Sequence, residues 1–218
     1  QMRALMYPLR HRWSFYNLKS DRCHNWRDNI VDIGSVSTVD EFWTVIGHLR
    51  AVNKVHFNTD LMLFKHDIEP IWEDPSMHFN TDLMLFKHDI EPIWEDPSNV
   101  NGGRWILFVD KRQPSHHLDA IWLHLMMAMV GNQFGEVDQN CLSGAVLSIR
   151  KAGCKISLWT KNAQNEPVQR AIGRKLKYVL SLASTSTIFY EFHGLHVNQN
   201  FNGSFEADGR MSDFREDK

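Results

Sequence analysis

Cysteine is scarce. Cys23, Cys141 and Cys154 stand at unrelated spacings with no Cys-x-x-Cys pair, which excludes a disulfide framework and a cysteine zinc cluster and fits a reducing compartment. Charge of one sign is also missing. A formal net charge of -2 leaves no long basic footprint for a duplex, so any nucleic-acid contact must be local. There is no apolar run of about 18 residues and no signal-peptide core in residues 1–12, so the expectation is a soluble intracellular protein without a membrane contact. Gln1 in first place suggests a fragment. The twelve histidines lack metal-ligand spacing, and His116-His117 reads as a solvated helix start. No metal, no cofactor and no enzymatic activity are expected.

What is present begins with a repeat. The 21 residues from His56 to Ser76 return verbatim from His78 to Ser98, separated by Met77 alone. Two copies cannot build a solenoid, which needs about three units to bury a core. The chain therefore reads as one domain over 1–193, with a tandem duplication inside 55–98 and a flexible tail over 194–218, where Asn, Gly and charge prevail. At 218 residues, 43% of them hydrophobic, it can bury one sizeable core.

Three helical patterns appear. Thr38-Val39-Asp40-Glu41 is a capping box before an apolar face of Phe42, Trp43, Ile46 and Leu49, which predicts a helix over about 38–50. Leu118, Ile121, Trp122, Leu125 and Met129 predict a second over about 116–130, closed by Gly131. The third starts near Pro167 and carries Val168, Ile172, Leu176 and Val179. Strands are predicted at 13–18, 29–33, 61–64 or 83–86, 104–109, 144–150, 155–160 and 188–193. Strands outnumber helices and arrive as hairpins, which points to an α+β fold, an antiparallel sheet with helices on one face.

Eight tryptophans are many for this length. Trp13, Trp105, Trp122 and Trp159 lie in apolar segments and read most simply as core. Trp26 sits in a polar stretch, and so does Trp94 or its twin Trp72 in the Pro-flanked acidic part of the repeat. Two loop indoles can sandwich an electron-deficient ring, at about 1–3 kcal/mol per stacked base and up to roughly 2 kcal/mol for a desolvated cation. Glu95, or Glu73 in the other copy, can accept both N–H donors of a guanine edge. Arg150 and Lys155 flank a Gly turn between two strands, and with Arg104 they can bind a short polyphosphate.

At these residues the chain resembles the eukaryotic translation initiation factor 4E family, which binds the 7-methylguanosine cap of mRNA. The resemblance rests on ordered blocks: Asn25-Trp26, Thr38 to Trp43, Phe86 to Asp96, Gly102-Gly103-Arg104-Trp105, Gly144-Ala145-Val146 and Ile172-Gly173-Arg174. It implies a curved eight-stranded antiparallel sheet with three helices packed on its convex face and the cap in the concave one. It assigns Trp26 and Trp94 to the base, Glu95 to the guanine edge, Trp159 to the neighbourhood of the methyl group, and Arg104, Arg150 and Lys155 to the phosphates. On the convex side it implies a groove of Tyr7, Pro8, Val39, Trp43, Leu123, Met127 and Val130. That groove would receive a helical Tyr-x-x-x-x-Leu peptide from scaffold factor 4G or from 4E-binding proteins. Tyr7, His124 and Ala152 depart from the family's usual residues. The implied protein is a monomeric cytoplasmic translation factor, with the nucleus a second compartment. Two alternatives stay open: a cap-binding repressor paralogue, and an interaction module that no longer binds cap.

Overall fold

The computed structural model describes residues 7–18, 26–48, 81–110, 115–135, 140–150, 153–183, 185–193 and 205–206. The first repeat copy and most of 194–218 lie outside these residues. Eight strands are described: β1 Pro8–Leu18, β2 Ile30–Thr38, β3 Thr81–Lys87, β4 Gly103–Val109, β5 Leu142–Arg150, β6 Gly153–Thr160, β7 Phe189–Phe192 and β8 Phe205–Glu206. They form one sheet in the order β2-β1-β3-β5-β6-β4-β7-β8. Every neighbouring pair is antiparallel. Three helices accompany it, α1 Val39–His48, α2 Ser115–Val130 and α3 Glu166–Val179.

The helix ends follow local chemistry. The Glu41 carboxylate accepts the Ser37 and Thr38 N–H groups at 2.6 and 3.1 Å, while Thr38 Oγ1 accepts the Glu41 N–H at 3.2 Å. These bonds close the capping box, satisfy orphan donors of α1 and hold the Glu41 carboxyl below its usual range. The Gly131 N–H bonds the Met127 carbonyl at 2.8 Å as α2 ends. Asn165 caps α3, accepting the Val168 N–H at 3.4 Å.

Alternation along the strands gives the sheet two unlike faces. One set of residues, including Trp13, Phe15, Leu83, Leu85, Trp105, Leu107, Leu147, Ile156 and Leu158, is buried in one core with Phe42 of α1, Leu125 and Met129 of α2 and Ile172 and Leu176 of α3. The alternate positions Met84, Phe86, Val146 and Trp159 form a second, smaller cluster with Ile90. No helix contributes to that cluster among the described residues.

The second repeat copy supplies β3, which lies between β1 and β5. Two sequence expectations change. β1 and β2 run longer than their apolar cores because they pair with each other from Leu18↔Ile30 out to Pro8↔Thr38, through bulges. The sheet also continues past 193, the expected domain edge, because β8 pairs with β7 at Phe189↔Glu206 and Tyr190↔Phe205. Backbone pairing between distant segments overrides a local composition of Asn and Gly.

Candidate functional site

The helix-free face is laid out in rows. Phe86, Gly144, Trp159, Arg104 and Glu191 are partners across five adjacent strands. Two residues along lie Met84, Val146, Ser157, Ile106 and Phe189, and two further lie Asp82, Ser148, Lys155 and Phe108. Arg150, two residues beyond Ser148, falls on the same face by alternation. At about 3.3 Å per residue the first and third rows, four positions apart on each strand, are roughly 13 Å apart. Gly144 is required in the first row, since a Cβ there would overlap the Phe86 ring, which meets Trp159 edge-on at 5.4 Å.

Trp94 reaches this face on the loop between β3 and β4. Ile90 and Ile93 bury themselves, and the fully buried Asn99 amide donates to the Glu91 and Ile93 carbonyls at 3.0 and 2.9 Å. The Asp96 carboxylate accepts the Glu91 and Ser98 N–H groups at 3.0 and 2.7 Å. His193 then locks the loop to β7: its N–H donates to the Gly102 carbonyl and its Nδ1–H to the Asn99 carbonyl, each at 3.0 Å. On this scaffold Trp94 stays 48% exposed, parallel within 5° to the His193 ring at 6.3 Å. His193 in turn meets buried Trp159 at 4.2 Å. Glu95 is exposed beside Trp94. The Arg104 guanidinium lies 5.6 Å over the Trp94 ring, so the indole already faces a cation.

The three predicted phosphate cations share the face. Arg104 donates to the Glu191 carboxylate at 2.6 and 2.7 Å, and Arg150 to Asp82 at 2.7 and 2.9 Å. Lys155 is half-buried, and burial holds its ammonium below the usual lysine range; Arg104 and Arg150 add to the depression while Asp82 and Glu191 oppose it. Sequence reasoning missed Asp82, Glu191 and His193. Only strand alternation combined with the pairing register places them beside the cations and the indoles.

Trp26 begins a single 3-10 turn, Trp26–Asn29, that leads into β2, whose first residue pairs with Leu18 and through it with Asp82 in the third row. Its side chain, like Trp72 and Glu73, lies outside the described residues. On the helical side Trp43 is 47% exposed with its ring edge-on to Phe42, and Tyr7 is 61% exposed. The Tyr7 carbonyl accepts the Val39 N–H at 2.9 Å, which fastens the Tyr7-Pro8 segment to the start of α1. Leu123 and Met127 are partly exposed. Val130, expected to line the groove, is 8% exposed because the last turn of α2 packs into the main core.

A model of the eukaryotic initiation factor 4E family matches residues 8–80 and 75–207, two stretches that meet at the junction between the repeat copies. The chain belongs to the eukaryotic initiation factor 4E family. It is 35% identical over 190 residues to eukaryotic translation initiation factor 4E-3 of Caenorhabditis elegans, which is 86% of this chain and 66% of that protein, so it spans just under two thirds of that relative. A structure of Ascaris suum eIF4E-3 with an m2,2,7G cap superposes with a TM-score of 0.73 at 34% identity, covering 87% of this chain and 92% of that one. C. elegans eIF4E-3, solved with the 4E-binding protein Mextli and a cap analog, gives 0.71 at 35% identity, covering 86% and 93%. The curved antiparallel sheet backed by three helices is thus the 4E fold.

Burial pushes the His193 imidazole down from 6.5 to about 4, with the Asn99 carbonyl opposing and Arg104 assisting. Folding therefore favours the neutral ring. Its contribution is complete above pH 6.5 and is lost as pH falls toward 4, by up to about 3 kcal/mol. Urea midpoints measured across this window should fall more steeply for the native chain than for His193→Gln. Parallel profiles would remove His193 as the titrating group.

Proposed function

We propose that this chain binds the 7-methylguanosine 5′ cap of mRNA during translation initiation, in the cytoplasm, by stacking, edge recognition and charge neutralisation. One observation carries the reading. A half-exposed indole, Trp94, stands with Glu95 at one end of the helix-free face, while Arg104, Lys155 and Arg150 step along that face away from it. A flat base followed by a phosphate chain has this shape. Family membership and neighbours solved with caps support it.

In this reading Trp94 forms one wall of the base sandwich and Trp26, carried by the turn before β2, forms the other. Methylation at N7 fixes a positive charge on the guanine, which adds a cation–π term to stacking, worth up to roughly 2 kcal/mol when desolvated. The Glu95 carboxylate accepts the N1–H and N2–H of the base, and Trp159 closes the pocket near the methyl group. Arg104, Lys155 and Arg150 take the phosphates. Glu191 and Asp82 hold the two guanidinium groups in place before the ligand arrives, which limits the conformational freedom lost on binding. Recognition needs no nucleophile and no acid–base pair.

The helical side is the proposed docking surface for scaffold 4G or 4E-binding proteins. In this reading exposed Trp43 and Tyr7, with Pro8, Val39, Leu123 and Met127, receive the apolar face of an amphipathic helix. The C. elegans neighbour solved with Mextli supports a partner of that class.

Retention on a 7-methyl-GTP resin tests the cap reading and the choice of copy together. The native chain should be retained and released by 7-methyl-GTP but not by GTP. Trp94→Ala should abolish retention and Trp72→Ala should keep it. Glu95→Ala should cost about 1.5–3 kcal/mol, the range for a hydrogen bond to a charged group. The opposite pattern would move the site to Trp72 and Glu73.

For the helical side, a Tyr-x-x-x-x-Leu peptide should bind the native chain by anisotropy. Trp43→Ala should lose that binding by tenfold or more, since a central interface Trp carries about 2 kcal/mol or more. It should leave resin retention intact. Loss of both would mean that the substitution unfolds the protein.

A further inference from the structure

The cap reading leaves one prominent side chain of this face unused. Phe108 is 66% exposed, although its strand neighbours Leu107 and Val109 are buried. Strand alternation places it on the face of Arg104 and Ile106, and register sets it directly opposite Lys155, in the row that continues through Ser148 to Asp82. Asp82 is the ion-pair partner of Arg150. The pairing of β7 with β4 ends at Ile106↔Phe189, two residues short of Phe108. An exposed phenyl ring therefore stands beside Lys155, at the end of the face far from Trp94, with Arg150 two strands away on β5.

We propose that Phe108 is the stacking platform for the first transcribed nucleotide, the base that follows the phosphates of the cap. The inference rests on the cap reading and extends it. Arg104, Lys155 and Arg150 are strung over the roughly 13 Å between the first and third rows, so a phosphate chain that starts near Arg104 is led toward the third row. The next ribose emerges at the third row, where the aromatic surface is Phe108. Because the base is tethered through the phosphates, stacking on Phe108 proceeds at high effective concentration. A phenyl face accepts any base, so this contact adds affinity without reading sequence. The lysine directly across the strand pair supplies charge complementarity for the linking phosphate, which favours a nucleotide over an apolar peptide as occupant.

Titration of the full chain with 7-methyl-GTP and with m7GpppA, read by tryptophan fluorescence, tests the proposal. Phe108→Ala should weaken m7GpppA by about five-fold or more, as expected for a lost base stack, and leave 7-methyl-GTP within two-fold. Phe108→Trp should restore the dinucleotide affinity, and Phe108→Leu, which keeps apolar bulk, should not. Equal losses for both ligands would make Phe108 a support of the sheet, and no change in either would assign the ring to a protein contact; each result overturns the proposal. Failure of the native chain to bind 7-methyl-GTP at all has a different signature and would overturn the cap reading, and this inference with it.

Discussion

From Gly144 onward in β5, residues in β3, β5, β6 and β4 stand opposite one another in continuous register, and the rows of the candidate sheet face inherit their places from that. With a period of two, each strand sends one set of side chains toward α1, α2 and α3 and the other set toward the opposite face. A one-residue slip of β3 would carry Leu83 and Leu85 out of the main core and turn Asp82 away from Arg150. The large core of the helical side thus enforces, at a distance, the spacing of the charged rows on the other side. Trp159 gains its rigidity from the same rule, since Gly144 is the cross-strand neighbour that leaves room for the Phe86 ring beneath it.

Electrostatics on this face is balanced by design of place. Three cations converge on one strip of sheet, and their repulsion is offset by two carboxylates, Asp82 and Glu191, each bonded to a guanidinium. The arrangement keeps Arg104 and Arg150 oriented, while half-buried Lys155 lies within electrostatic range of all four groups. An incoming polyphosphate adds negative charge where two carboxylates already stand, so those ion pairs temper affinity as they confer order. His193 ties the same strip to the loop of Trp94 and responds to acid, so site geometry and acid stability share one residue.

Much of this was legible locally. The capping box of α1, the apolar stripes of α2 and α3 and most strands follow from periods of 3.6 and 2, and the exposure of Trp94 follows from the Pro-flanked acidic stretch that carries it. Trp43 defeats the periodic argument: it occupies an apolar position of α1, yet Phe42 takes the place in the core. Asp82, Glu191 and His193 could not be seen, because their meaning lies in partners 68, 87 and 94 residues away. Identical repeat copies carry no local signal of which one enters the sheet. Connectivity distinguishes them: the second copy runs through the Asn99 and Gly102 turns straight into β4, whereas the first would place about 22 more residues in that connection.

The central claim is that the helix-free face recognises a methylated, positively charged guanine. The most direct measurement is calorimetric affinity of the full chain for 7-methyl-GTP against GTP in the same buffer. The two ligands carry the same phosphates, so the cations contribute alike and the difference isolates the aromatic pocket. The account predicts that 7-methyl-GTP binds about tenfold or more tightly, the scale of a desolvated cation–π contact. Equal affinities would contradict it.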